Sequence, residues 1–295
     1  MKSRLLILLL HFFAALPLPL ARALGVVLGD ICWFTRGRMA RTTLTNLALC
    51  FPQLDDKARR ALARKSLRHT FMAITESGAV WLWPAPKALA LIHRIEGLDL
   101  LTAAHAEGRG VIMLGPHLGH WELTGLYLNT AGCGQNSQLF QAPDDPRIAK
   151  LIYEARSRSG SHMVPTDQKG VGVLLQALRR GEVIGILPDQ VPPDSGGEFA
   201  PFYGVPALTM TLACRLQQKT GARMLMTFAR REFAPGHGFT VVIQEPDPAI
   251  YARDMQAALA AMNRSIETLM DGVPEQYQWE YKRFKRQPGG RERPY

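Results

Sequence analysis

Gly110-Val-Ile-Met-Leu-Gly-Pro-His-Leu-Gly-His-Trp-Glu-Leu-Thr-Gly125 is the stretch on which the reading of this chain turns. Its first residues, small or apolar, read as a buried strand; Gly115-Pro116 breaks that strand, and the apolar pattern starting near Trp121 fits a helix. His117 therefore sits at a strand-to-helix turn. Two residues five apart on one continuous helix point roughly 140° away from each other. His117 and Glu122 meet only if the histidine precedes the helix and the glutamate lies in its first turn, which the Gly-Pro break permits. A carboxylate in a first helical turn is favoured by the helix dipole and stays ionised. It is then suited to hold an imidazole in one tautomer, with the other nitrogen free to act as a base. Two plainer readings fit the same letters: a histidine beside Gly-Pro as a turn residue, and a glutamate as an ordinary helix-start charge. A metal site through His117, His120 and Glu122 has weak support, because the spacing is not H-E-x-x-H and no further Cys or His cluster is near in sequence.

Outward from this stretch, helical and strand patterns alternate. Residues 97–108 read as a helix closed by Gly108, 147–158 as another, and 173–180 as a third ending at Gly181. Residues 183–187 form a buried strand that runs into Pro188-Asp189-Gln190. Farther on, 207–219 is expected to be a helix, 223–229 and 239–243 strands, and 252–270 a helix. Such alternation predicts an α/β fold, one mixed sheet flanked by helices, with functional residues at the strand ends. Upstream, the segment from Asn46 is a helix end stopped by Pro52. Asp55 then reads as the N-cap of a long basic helix with Leu62, Leu67, Phe71 and Ile74 on its apolar side. Its cations at 57, 59, 60, 64, 65 and 68 are available to lipid headgroups or form a solvated face. Trp81 and Trp83 are interfacial anchors or core residues.

The 295 residues, 47% of them hydrophobic, suffice for one large core with an appended N-terminal segment, giving an anchor over 1–34 and a body over 35–295. Residues 5–20 contain no Asp, Glu, Lys or Arg and are flanked by Lys2, Arg4 and Arg22. Sixteen residues fall just short of the ~20 of a comfortable membrane span, and Pro17 and Pro19 disturb the helix end. A second apolar patch follows over 23–34. A cleaved signal peptide, a single transmembrane anchor and a helical pair lying in one leaflet all remain open. The four scattered cysteines, Cys32, Cys50, Cys133 and Cys214, read as thiols of a reducing compartment, and Arg36, Arg38 and Arg41 follow the apolar segment. Both features favour an uncleaved anchor with a cytoplasmic body. The formal charge of +10 and pI near 9.7 call for an acidic partner, which is nucleic acid, anionic lipid or an acidic carrier protein. The N-terminus favours lipid.

Several chemistries lack their signatures. The chain has no G-x-S-x-G elbow, no Walker loop and no G-x-G-x-x-G, and nothing in it calls for a nucleotide cofactor. Asp144-Asp145 lies in a Pro-flanked turn. A general base without a side-chain nucleophile, on a basic membrane-tethered body, fits direct transfer of a group to a substrate hydroxyl.

With these residues in view, the chain resembles the late acyltransferases of lipid A biosynthesis, the lauroyl/myristoyl transferase family. The likeness covers nearly the whole chain: the hydrophobic N-terminus, Asn46-Leu with Cys50-Phe51-Pro52, Gly108-Arg-Gly-Val, His117-x4-Glu122, Arg156 with Gly160, Leu187-Pro-Asp-Gln190, Phe202 with Gly204-Val-Pro-Ala207 and Thr209, Thr220-Gly-Ala222, and Pro274-Glu-Gln-Tyr-Gln-Trp279 before Arg283-Phe-Lys. The resemblance implies a glycerol-phosphate-acyltransferase-like fold with a membrane-anchoring N-terminal helix at the cytoplasmic face of the cell inner membrane. It implies an acyl-carrier-protein thioester as donor and a phosphorylated glucosamine lipid as acceptor, with no nucleic acid, cofactor or metal. Carried over by position, His117 deprotonates the hydroxyl of a 3-hydroxyacyl chain and Glu122 orients His117. Arg156 binds a phosphate or steadies developing negative charge, and Asp189 is a participant or a supporting organiser. Phe140-Gln141-Ala142-Pro143 stands where many relatives show Tyr-Arg-Pro. That departure keeps a different glycolipid or an aminoacyl lipid open as acceptor. An inactive membrane-surface binding protein is the reading from another class, against which His117, Glu122 and Arg156 stand.

Overall fold

The computed structural model describes residues 2–233, 238–290 and 292–295. The chain begins with five helices: α1 (Lys2–Ala15), α2 (Leu18–Phe34), α3 (Arg38–Cys50), α4 (Asp56–Leu82) and the short α5 (Ala85–Leu89). An alternating section follows with β1 (Ile92–Glu96), α6 (Leu98–Ala106), β2 (Val111–Leu114), α7 (Trp121–Leu128), β3 (Asn136–Phe140), α8 (Pro146–Ser157), β4 (His162–Pro165), α9 (Gln168–Arg179) and β5 (Val183–Ile186). A hairpin of β6 (Gly197–Phe202) and β7 (Val205–Met210) precedes α10 (Leu212–Thr220), β8 (Arg223–Arg231), β9 (Phe239–Gln244) and α11 (Met255–Met270).

Seven strands form one sheet in the order β1-β9-β8-β2-β5-β3-β4, parallel throughout except for the antiparallel β8–β9 pair. The short central strands are apolar on both faces, as strands covered from two sides must be. In β2, Ile112 and Leu114 enter the core against α9, α10 and α11, whereas Val111 and Met113 enter the core against α6 and α7. β5 and β8 divide in the same way, Ile184 and Ile186 to one side with Met224 and Met226, Val183 and Leu225 to the other. The expected α/β architecture, a mixed sheet flanked by helices, is therefore present.

Residues 207–219 depart from expectation. Their first part is strand β7, paired antiparallel with β6 from Gly197↔Met210 to Phe202↔Val205, and the helix starts only at Leu212. Val205 to Met210 is short enough to fit either pattern, and pairing with β6 decides it.

The N-terminal apolar segment is two helices parted at Leu16 and Pro17, where the proline precedes α2. No single helix among the described residues is long and apolar enough to cross a membrane; α2 and α3 together satisfy length and composition but bend by 83°. Both α1 and α2 pack along α4. Gly25 and Gly29, one turn apart on α2, lie so close to α4 that a Cβ on either would come within 2.6 Å of the Met72 or Arg68 Cα. Their outward residues Leu5, Leu8, Phe12, Leu20, Val27, Ile31 and Phe34 stay exposed. Part of the basic run on α4 is spent inside the protein: Arg64 and Arg68 each grip the Asp30 carboxylate with two hydrogen bonds of 2.7–2.9 Å. Asp55 caps α4 as expected, accepting from Ala58 N at 2.7 Å.

Behind the sheet end lies a buried ionic cluster. Glu76 of α4 is wholly buried and accepts hydrogen bonds from Arg22 Nε at 2.7 Å and from Arg231 Nη2 at 2.6 Å. Arg231 Nη1 also donates to His69 Nδ1 at 3.1 Å, which leaves the proton of that neutral ring on Nε2. Burial would raise the Glu76 carboxyl, but Arg231, then His120 and Arg22, outweigh it and bring it down to about 2. A depressed carboxylate contributes stability that is present above its unfolded value and lost as pH falls through the folded one. Replacing Glu76 by Gln leaves two buried guanidiniums without their counter-charge, and is expected to cost about 3–5 kcal/mol at neutral pH. In urea titrations the deficit should shrink between pH of about 4 and about 2; a pH-independent deficit would show that Glu76 acts through packing alone.

Candidate active site

The segment between β2 and α7 is held from both sides. Gly115 N donates to Ile186 O at 3.0 Å, Gly119 N to Gln276 O at 3.0 Å and His120 N to Ala229 O at 2.9 Å, while His117 O accepts from Gln278 N at 3.1 Å. Gly119 has a φ of +60°, and a Cβ there would stand 2.0 Å from Ala229 O, so only glycine permits this approach. His117 precedes α7 and Glu122 lies in its first turn, as the spacing predicts.

Strand register supplies the partner of His117. β2 and β5 are parallel neighbours with Leu114 opposite Ile186, and the residues three beyond each, His117 and Asp189, lie side by side at the carboxyl ends of the strands. Asp189 Oδ1 is 2.8 Å from His117 Nδ1, and Asp189 Oδ2 accepts from the His117 backbone N at 2.9 Å. A carboxylate at Nδ1 places the ring proton there and leaves Nε2 as the acceptor, which receives a hydrogen bond from Gln190 Nε2 at 3.1 Å. Burial alone would push the Asp189 carboxyl up, yet the His117 imidazole and the two N–H groups of His117 hold it below the ordinary carboxylate value.

Glu122 makes a different pair. Its buried carboxylate accepts from Arg156 Nε of α8 at 2.9 Å and from Arg156 Nη2 as well. Here too burial opposes ionisation, and the Arg156 charge wins, keeping Glu122 below its usual value while Glu122 raises Arg156. Among the described residues, the carboxylate on the His117 ring is thus Asp189, and the group that Glu122 orients is Arg156. Spacing put Glu122 near His117, but only the fold showed that a strand end 72 residues away was nearer to the ring. Gln190 and Gln278, which join at 3.4 Å beside His117, had no signal of their own beyond lying within Leu187-Pro-Asp-Gln190 and Gln276-Tyr-Gln278.

His117, His120, Trp121 and Glu122 line a cavity of about 340 Å³, with His69, Thr70, Ile74 and Ser77 of α4 and Gln278 and Glu280 as further walls. Trp121 and Glu122 are shared with a smaller cavity of about 50 Å³, which Met113, Gly125, Leu128, Leu139, Gly185 and Ile186 make mostly apolar. Arg156 lines this second cavity. Gln141 lines neither and accepts from Thr166 Oγ1 at 3.1 Å. No group of three or more His, Cys, Asp or Glu among the described residues is placed to hold a metal ion.

An imidazole in a cavity wall, with Nδ1 bound to a buried carboxylate and Nε2 left as acceptor, can take a proton from a hydroxyl. The family is shown by comparison with known proteins: the chain belongs to the bacterial lipid A biosynthesis acyltransferases, whose family model matches residues 3–286. It is an acyltransferase. The chain is 28% identical over 275 residues to the lipid A biosynthesis lauroyltransferase of Escherichia coli K12, covering 93% of this chain and 88% of that one. It is 29% identical over 281 residues to the palmitoleoyltransferase of the same organism, covering 95% and 90%, and 24% identical over 256 residues to its myristoyltransferase, covering 86% and 78%.

The two carboxylates are separable by kinetics. Asp189→Asn removes the negative charge and exchanges one of the two oxygens that meet His117 for an amide donor, so the His117 tautomer is no longer fixed, and is expected to lower kcat by about 10²–10⁴ with little loss of fold. Glu122→Gln should leave the pH profile of kcat in place and instead free Arg156 and lower the melting temperature. The reverse pattern, with kcat and its pH profile following Glu122, would assign the His117 ring to Glu122.

Proposed function

We propose that this enzyme moves a fatty acyl chain from an acyl-carrier-protein thioester to the hydroxyl of a 3-hydroxyacyl chain on a lipid A precursor, with His117 as general base. The observation that carries this reading is the 2.8 Å contact between His117 Nδ1 and Asp189, which leaves Nε2 as the acceptor beside the larger cavity. The names of the relatives, all lipid A biosynthesis enzymes, point to the acceptor.

The acceptor hydroxyl displaces Gln190 from His117 Nε2 and gives its proton to that nitrogen as its oxygen attacks the thioester carbonyl. Asp189 stabilises the resulting imidazolium. The tetrahedral oxyanion collapses, the C–S bond breaks, and the proton on Nε2 passes to the departing thiolate, giving the ester and the free carrier thiol. The Glu122–Arg156 pair fixes α7 against α8 and sets a positive charge beside the apolar cavity, where it favours developing negative charge. That cavity receives the first part of the acyl chain.

The exposed apolar faces of α1 and α2 support an anchor in the inner membrane, with the catalytic body at its cytoplasmic face. The net charge of +10 suits both anionic lipid and an acidic carrier protein.

Mass spectrometry of lipid A from cells with and without the gene tests the reading: one additional ester-linked acyl chain should depend on the gene and on His117. With purified enzyme, the KM for acyl-carrier-protein donor should rise as ionic strength increases, whereas a salt-independent KM would remove the electrostatic docking. Gly125→Leu, whose side chain meets Gln138 at the apolar cavity, should shift chain preference toward shorter donors in a competition assay. An unchanged preference would place the acyl chain elsewhere.

A further inference from the structure

The His120 ring, in the wall of the cavity beside His117, has hydrogen-bonding capacity that no described residue uses. His120 is 1% exposed, and neither of its ring nitrogens has a hydrogen-bond partner among the described residues. A buried polar group left unmatched is destabilising, so such groups in folded proteins have a partner. The backbone of His120 is fixed, its N–H donating to Ala229 O at 2.9 Å and its carbonyl accepting from Leu123 N at 3.0 Å. Its ring meets Phe239 edge-on, with centroids 5.5 Å apart.

The surroundings set the charge state of this ring. Burial is the largest influence and lowers its pKa. Arg231 adds to that effect, Glu76 and Glu122 oppose it, and the balance lies at about 4. Near neutral pH His120 is therefore an uncharged imidazole with one donor and one acceptor. Of the other walls, Thr70, Ser77, Gln276 and Gln278 are neutral and Glu122 and Glu280 bring carboxyl groups, and none of the described residues lining the cavity is Lys or Arg. Arg231 and Arg22 are already bound to Glu76, and Arg156 to Glu122. A phosphate finds no free cation here, whereas an uncharged oxygen finds a donor.

We propose that His120 is a substrate-binding residue whose neutral ring donates a hydrogen bond to an uncharged carbonyl or hydroxyl oxygen of a substrate in the cavity it shares with His117. The inference rests on the acyl-transfer reading above. That oxygen belongs either to the donor thioester, where it becomes the oxyanion, or to the hydroxyacyl chain of the acceptor.

The test compares the full-length enzyme with His120→Phe and His120→Asn, measuring kcat, the KM of a lauroyl carrier-protein donor, the KM of a hydroxyacylated glucosamine lipid acceptor, and the melting temperature without substrate. His120→Phe should melt no lower than the parent and lose activity, and His120→Asn, which keeps a donor and an acceptor, should restore most of it. A fall confined to kcat, by about 10²-fold, assigns the thioester carbonyl. A rise confined to the acceptor KM, by about three- to tenfold, assigns the acceptor. Activity of His120→Phe within twofold of the parent overturns the proposal and leaves a buried water as the partner. Parallel losses of activity and melting temperature in both variants overturn it too, as a purely structural role. If His120→Phe does not fold, the smaller His120→Leu takes its place. A parent enzyme that transfers no acyl chain fails the reaction reading alone. Calorimetric binding of a lauroyl thioester and of 3-hydroxymyristoyl glucosamine then decides His120: weakened binding of either to His120→Phe carries the proposal, and equal binding of both overturns it.

Discussion

Two N–H groups of one histidine meet the two oxygens of one aspartate, and much of the site follows from that contact. Asp189 is almost fully buried, and an ionised carboxylate without partners in such a place costs several kcal/mol. His117 supplies the partners, and Asp189 in turn decides which ring nitrogen carries the proton. Neither arrangement is stable alone. Their meeting depends on the register of β2 against β5 and on a loop pinned at Gly119 to the end of β8, so the central strands are the frame of the chemistry as well as of the core.

α4 carries a second constraint across the molecule. One side receives α1 and α2, with Gly25 and Gly29 allowing α2 to lie almost backbone to backbone against it. Glu76 on the same helix takes up Arg22 of α2 and Arg231 of β8, so the N-terminal helices share a buried ionic cluster with the sheet. His69, Thr70, Ile74 and Ser77 then form a wall of the cavity beside His117. The apolar faces of α1 and α2 and one wall of the cavity beside His117 are thus tied to the same helix.

The sequence disclosed elements whose signals are local. The strand-turn-helix around His117, the Asp55 cap and the alternating core were legible because buried strands are uniformly apolar, capping residues act within three positions and Gly-Pro interrupts both patterns. β7 was not legible: Val205 to Met210 becomes a strand only through pairing with β6. Arg64 and Arg68 likewise read as cations for solvent or lipid until α2 brought Asp30 between them. In each case the missing information was a neighbour distant in sequence.

The site divides along the same line. The sequence by itself determined that His117 stands before a helix, that Glu122 lies in its first turn, and that Asp189 follows a buried strand, because chain spacing and periodicity set these positions. Family likeness added Arg156. Only the tertiary structure decided the pairing, Asp189 with His117 and Glu122 with Arg156, and gave His120 a place in the cavity wall. The physical reason is that a side chain takes the partner that strand order and helix packing bring within about 3 Å, and sequence spacing does not encode that order.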